Sequence, residues 1–307
     1  MTASNPLRDE SAVPQLLNGT PLESTAQLMD RITSQLGSQL NLVSLDGRRR
    51  TDPAPALVVV AHGSRDPRAL ATVSALLERV RELRPGLTVR LGHIELNEPL
   101  LTDTLAAATG SAVLVPLLLS RGYHVKQDIP DAIAAAPHLD ARVAAPLGPH
   151  PLLVDALHAR LLDAGWPTRP SEAVRRTSGV VLAAAGSRDP DSAADTRRTA
   201  DLLARRLGVP VVPAYASPTA NSPLTVPAAV RSLAARGRHR AAVASYFTAP
   251  GRFAAQCAEA APWIAAAPLG DHQAIARLVL HRYEQARTTA GPATAATWPP
   301  ARQLTSA

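Results

Sequence analysis

The stretch Ala56-Leu57-Val58-Val59-Val60-Ala61-His62-Gly63-Ser64-Arg65-Asp66-Pro67 returns, little changed, as Gly179-Val180-Val181-Leu182-Ala183-Ala184-Ala185-Gly186-Ser187-Arg188-Asp189-Pro190. The offset is 123, as Gly186 minus Gly63 gives. An unbroken apolar run of strand length, rich in valine, reads as a strand buried on both faces of a parallel sheet. The residues from Gly63 to Pro67 read as a turn into a helix. Glycine permits a tight turn, Ser64 or Asp66 can cap, and Pro67 fits the first helical position. A pattern written twice at a fixed offset marks a duplicated unit.

Downstream of each copy, apolar runs alternate with helical patterns. In the first, strands are expected at 88–94, 112–119 and 141–145, and helices at 67–84, 98–108, 126–136 and 151–164. In the second, strands are expected at 209–215, 240–246 and 263–266, with helices between them and up to about Arg287. The fold class is therefore α/β, as two similar domains, each a parallel sheet flanked by helices. Residues 1–55 read as an extension with a short amphipathic pattern (Leu28, Ile32, Leu36, Leu40), and 56–165 as the first domain. Residues 165–178 read as a linker with two prolines, 178–287 as the repeat domain and 288–307 as a disordered tail.

The whole chain of 307 residues is 46% hydrophobic and 19% charged, a globular balance for two domains. Its charge of +7 raises the question of nucleic acid. Against that stand an aromatic content of 3%, poor for base stacking, and no basic block longer than Arg48-Arg49-Arg50. No run approaches the ~20 apolar residues that span a bilayer, and no signal peptide is visible. The single cysteine, Cys257, fits a reducing compartment, so a cytoplasmic protein is expected.

In an open parallel sheet, ligands sit beyond the carboxyl ends of the strands. His62, Glu95 and His124 all fall there, and two imidazoles with a carboxylate suit a divalent transition metal. The repeat supplies an internal comparison. His62 corresponds to Ala185, and Gly122-Tyr123-His124 aligns with Gly251-Arg252-Phe253 at an offset of 129, so His124 corresponds to Phe253. Glu95 falls opposite Ser217 or a near neighbour. The three candidate ligands are thus absent from the second copy while Gly-Ser-Arg-Asp-Pro persists. Residues the fold needs should persist in both copies, and residues a reaction needs can be lost from one. This points to one active site, in the first domain.

Val60-Ala61-His62-Gly63-Ser64-Arg65, Ile94-Glu95-Leu96 and Gly122-Tyr123-His124-Val125-Lys126-Gln127-Asp128-Ile129-Pro130 together resemble the CbiX/SirB-type sirohydrochlorin chelatases. The resemblance covers about 56–165, and the second domain resembles the family's degenerate second half. It implies a class II chelatase that inserts Fe²⁺ or Co²⁺ into a tetrapyrrole without ATP, for sirohaem or cobalamin. It further implies a cleft between the domains, the metal held by His62 and His124, with Glu95 as third ligand among the competing groups of His93 to Glu98. No organic cofactor is implied; metal and sirohydrochlorin are the partners, with no nucleic acid or membrane. The two domains would make a pseudo-dimer within a monomer.

Insertion removes two pyrrole protons and exchanges solvent ligands for ring nitrogens, and histidine can hold a metal or accept a proton near neutral pH. Sirohydrochlorin is a polycarboxylate, so Arg65 and Arg121 are expected to bind it through bidentate contacts, with Arg68 and Arg252 as further candidates. All basic residues but Lys126 are arginine. A lysine kept two residues after His124 is expected to be catalytic, by proton transfer or as a compact charge. Two other readings are weighed. A histidine phosphatase would want arginine before the histidine, where Ala61 stands. A non-catalytic metal or tetrapyrrole carrier would bind without inserting.

Overall fold

The structure is a computed structural model and describes residues 54–289; the readings made of 1–53 and 290–307 lie outside the described residues. The first half runs β1 (Ala56–Ala61), α1 (Pro67–Leu83), β2 (Val89–His93), α2 (Leu101–Ala106), β3 (Ser111–Pro116), a π-helical turn (His124–Asp128), α3 (Ile129–Ala134), β4 (Asp140–Val143) and α4 (Pro151–Asp163). After α5 (Glu172–Thr177) come β5 (Ser178–Ala184), α6 (Pro190–Leu207), β6 (Val211–Tyr215), α7 (Val226–Ala234), β7 (Arg240–Ser245), α8 (Arg252–Glu259), β8 (Ile264–Ala265) and α9 (Gln273–Thr288). Two parallel four-stranded sheets result, ordered β2-β1-β3-β4 and β6-β5-β7-β8, as the duplication implies.

The repeated stretch forms the second strand of each sheet. Val59 pairs with both Leu91 and Val115, and Val181 with both Val212 and Val243. Because successive side chains point to opposite faces, Leu57 and Val59 face one core while Val58 and Val60 face another. Val180 and Leu182, against Val181 and Ala183, repeat that division. The turn after the strand also repeats. Asp66 caps α1 by accepting the Arg68 N–H at 3.0 Å, and Asp189 caps α6 by accepting the Asp191 N–H at 2.9 Å.

The inner faces of both sheets share one core, while the outer face of each sheet keeps a core of its own. Val73, Leu76, Leu77 and Val80, at helical spacing on α1, belong to it. The helices α4 and α9 are exchanged across it. The α4 helix, the last of the first half, packs on α6 and β7. The α9 helix, the last of the second, packs on α1, β3 and β4. Tyr283 of α9, 1% exposed, donates its hydroxyl to the Pro55 carbonyl at 2.7 Å, and Arg282 donates to the Leu147 carbonyl.

Two local readings are corrected. The stretch 165–178 is not a bare linker: Ser171 caps α5, with Glu172 in its first turn and Arg175 and Arg176 in its last, complementing the helix dipole. The helix expected from Glu98 begins at Leu101, because Pro99 and Leu100 first pair with His93 along the end of β2. Among the described residues, no helix is long and apolar enough to cross a membrane.

Both exchanged helices are capped by histidine. His150 Nδ1 accepts the Leu152 N–H at 3.2 Å, and His272 Nδ1 accepts the Ala274 N–H at 3.1 Å. An accepting nitrogen carries no proton, so each cap requires neutral imidazole. Burial pushes the His150 pKa down, Arg282 and His281 act with it, and Asp155 opposes. Burial and then Arg160 lower that of His272 against Asp163 and Asp271. His158 on α4 is lowered by burial and Arg206. A base whose folded-state pKa lies below its unfolded value binds more protons in the unfolded chain. The stability it carries is complete above the unfolded value of 6.5 and is lost as pH falls through the folded value. Thermal scans are expected to give a flat Tm above neutrality and a fall from pH 6.5 downward. His150→Asn with His272→Asn keeps both caps without titration, so it should flatten that fall to the His158 share. A native slope in the double variant contradicts the account.

Candidate metal and ring cleft

His62 directly follows β1, and Glu95 leaves β2 beside it. The Ile94 and Glu95 N–H groups donate to the Ala61 and His62 carbonyls at 2.9 and 3.0 Å. In the second half, Ala216 and Ser217 donate to Ala184 and Ala185 at 2.9 and 2.8 Å, so Ser217 is the counterpart of Glu95. Gly63 and Gly186, with φ of 104° and 102°, lie where a Cβ would overlap the carbonyl oxygen of Glu95 or Ser217. That close approach explains why glycine stands there in both copies. The next residue differs. Leu96 holds φ at 69°, a left-handed conformation costly for leucine, and its counterpart Pro218 has a ring that fixes φ near −65°. The ligand loop of the first half is thus distinct in backbone as well as in side chains.

His124 opens the π-helical turn after β3. The Lys126 N–H donates to Gly122, as Ala255 does to Gly251, both at 3.0 Å, which fixes Phe253 as the counterpart of His124. The second half continues as the regular helix α8, whereas the first widens into the π turn, a feature frequent at functional sites. His124 Nδ1 meets Asp128 Oδ2 at 2.5 Å. The rings of His62 and His124 stand edge to face with centroids 4.6 Å apart, and His62 Nδ1 lies 3.4 Å from Glu95 Oε1.

The structure therefore brings His62, His124 and Glu95 together from three strand ends. Among the described residues, no group of three or more His, Cys, Asp or Glu already stands in the arrangement of a metal cage. The neighbours that competed with Glu95 have other partners. His93 is buried with Nδ1 toward the Pro99 carbonyl, Asn97 Oδ1 accepts the Ser64 N–H at 2.6 Å, and Glu98 accepts the Leu100 N–H.

The basic candidates divide. Arg65 is exposed and lines the cleft. Arg68 pairs with Asp66, and Arg252 lies over the Phe253 ring at 4.9 Å. Arg121, expected to bind substrate, is instead forked onto Asp195: Nε and Nη2 donate at 2.9 and 2.7 Å and its backbone N–H at 3.0 Å. A guanidinium whose fork already holds one carboxylate has lost the geometry for a second bidentate contact. Lys126 bridges to Asp189 at 2.6 Å and Asp191 at 3.0 Å. Burial alone would lower its pKa, but hydrogen bonds and charge from these two aspartates outweigh burial and raise it. That holds the proton in place at neutral pH, so of its two expected roles the compact charge fits the surroundings and proton transfer does not.

Sequence reading left four carboxylates without a role: Asp128 behind His124, and Asp189, Asp191 and Asp195 opposite Lys126 and Arg121. Asp128 lay within the quoted motif, at the i+4 spacing that puts two side chains on one helix face. Asp189 was visible only as the repeat of the Asp66 cap, Asp191 and Asp195 gave no local signal, and the cations all three face are 63 or more residues away in the chain.

His62, Arg65, Arg121 and His124 border a cleft between the halves, made of two adjoining hollows of about 370 and 430 Å³. His62, Leu117, Ala185, Phe247, Thr248 and Phe253 line both. The Tyr246 hydroxyl crosses beside it to the Leu119 carbonyl at 2.8 Å.

The family model CbiX matches residues 56–164 and again 179–286. The curated sirohydrochlorin ferrochelatase of Bacillus subtilis is 32% identical over 170 residues, 52% of this chain and 62% of that protein. The sirohydrochlorin cobaltochelatase of Methanopyrus kandleri is 37% identical over 89 residues, 28% of this chain and 62% of that protein. The chain thus spans about 62% of the length of these relatives. A solved structure of SirB from Bacillus subtilis with Fe³⁺ shares the fold, with a TM-score of 0.60 at 23% identity over 76% of this chain and 96% of that one. One family model thus accounts for both halves, including the half that lacks the histidines, and the chain belongs to the CbiX family, whose unit it carries twice.

Proposed function

We propose that the protein inserts a divalent metal into sirohydrochlorin, taking metal and ring as its two substrates. The observation that carries this reading is the His62–His124 pair, 4.6 Å apart with Glu95 alongside, in a cleft wide enough for a large ligand and absent from the duplicated half. Two imidazoles and a carboxylate suit Fe²⁺ and Co²⁺ alike. The named relatives include both ferrochelatases and cobaltochelatases. The ferrochelatase alignment extends over 52% of the chain, against 28% for the Methanopyrus cobaltochelatase, which favours iron and sirohaem.

Asp128 orients the His124 ring through Nδ1, which leaves Nε2 for the metal or for a pyrrole proton. Glu95 stands by His62 in the same relation at longer range. As the ring nitrogens take the metal, the two displaced pyrrole protons pass to these imidazoles or to Glu95. Arg65 at the rim favours an anionic ring.

The test is an anaerobic absorbance assay of insertion with wild type, His62→Ala and His124→Ala. Each variant is expected to lose about 100-fold or more, the range for a removed acid–base group. Native rates in either variant overturn the assignment. Faster turnover with Co²⁺ than with Fe²⁺ reverses the metal. Wild type that binds ring and metal without accelerating insertion is a carrier.

A further inference from the structure

The half that lacks the ligands still faces them. Ala185 stands where His62 stands and Phe253 where His124 stands, and both line the two hollows together with His62. The chain contains only two phenylalanines, Phe247 and Phe253, and both are in that wall. Each is half-buried, with part of its surface open to the cleft. In a chain so poor in aromatics, their convergence on one cleft, opposite the candidate metal ligands, calls for a ligand with an extended π face. Charge supports the same occupant. Arg252 lies 4.9 Å over the Phe253 ring and Arg65 lines the same hollow, so cations border the apolar wall as carboxylates border a tetrapyrrole.

We propose that Phe253, with Phe247, is the platform on which the face of the tetrapyrrole packs, so that the duplicated half lost metal binding and took over ring binding. The inference rests on the chelatase reading. A ring held only by its rim carboxylates is free to tilt; packing against an aromatic side chain fixes its plane relative to His62 and His124. Phe253 is then a specificity-determining residue for the ring, and it has no part in holding the metal.

The test separates the two substrates. Metal-free sirohydrochlorin is titrated anaerobically by absorbance, and Co²⁺ alone by calorimetry, on the full chain as wild type, Phe253→Ala, Phe253→Leu and Phe253→Tyr. Phe253→Ala is expected to weaken ring binding about tenfold, from lost aromatic contact and lost apolar area. Phe253→Leu, which keeps apolar bulk, should fall between, and Phe253→Tyr should bind as wild type does. Co²⁺ affinity should be the same in all four. Native ring affinity in Phe253→Ala overturns the proposal. So does a parallel loss of Co²⁺ binding in Phe253→Ala and Phe253→Leu, which would place the residue in the fold or the metal site. Wild type that binds Co²⁺ but not sirohydrochlorin overturns the chelatase reading itself, and this proposal with it.

Discussion

A fragment ending at Trp166 is expected to fail as a folded monomer, although it contains a complete four-stranded sheet and every candidate metal ligand. The reason is the exchange of α4 and α9. Ile275, Leu278, Val279 and Tyr283 of α9 are at most 1% exposed, in the core that also holds the inner face of the first sheet. At about 1.5–3 kcal/mol for each large apolar side chain, these four contribute roughly 6–12 kcal/mol, comparable to the whole stability of about 5–15 kcal/mol typical of a domain. The fragment also keeps α4, whose Leu153, Leu157 and Leu161 would lose the second half they pack toward. The two defects are complementary. An uncovered sheet in one copy can receive the α4 of another, and exchange of an identical element is a low-cost route to a dimer. Light scattering after gel filtration should therefore find a dimer or an aggregate. A monomer with a single cooperative unfolding transition would contradict the exchange.

That exchange was not legible in the sequence, while the sheets were. The run from Ala56 to Ala61 and its repeat reveal themselves because a strand buried on both faces has no polar positions to break it. The strand edges shifted by only one to three residues. An amphipathic helix, in contrast, declares that one face is buried and not which sheet it covers, so α4 and α9 read as belonging to the halves that encode them. The site shows the same division. His62 and His124 stood out through their loss from the second copy, and backbone pairing then settled Ser217 as the partner of Glu95. Lys126 stood out as the one lysine and Arg121 as a candidate for the substrate, but their carboxylates lie at the cap and along the first turns of α6, 63 to 74 residues away. Short α5 was hidden by Pro167 and Pro170, though Ser171 and Glu172 spelled its start. The twisted loop at Leu96 has no sequence signal, since leucine is not a residue that seeks positive φ.

Asp195→Ala is expected to be the most damaging single change outside the ligands, because it strands a cation. The Asp195 side chain is 2% exposed and takes three hydrogen bonds from Arg121, whose own side chain is 29% exposed. Its hydrogen bonding holds the Arg121 pKa above the usual value against the opposing effect of burial, as expected where the charged form is favoured. Breaking a buried pair by removing one partner costs about 3–5 kcal/mol. Here the arginine retains some water, and Asp191 at 3.7 Å, so about 2–3 kcal/mol is the better figure. For a chain of this size that is a fall in Tm of about 5–10 °C. The damage should reach the chemistry too, since Arg121 is three residues before His124 and the pair ties that loop to α6. The charge, rather than the contact area, carries the effect if the double variant Arg121→Ala with Asp195→Ala is more stable than Asp195→Ala alone, because it leaves no buried cation behind. A double variant less stable than the single one would mean that Arg121 stabilises the loop through packing of its alkyl stem, and that the ion pair is secondary.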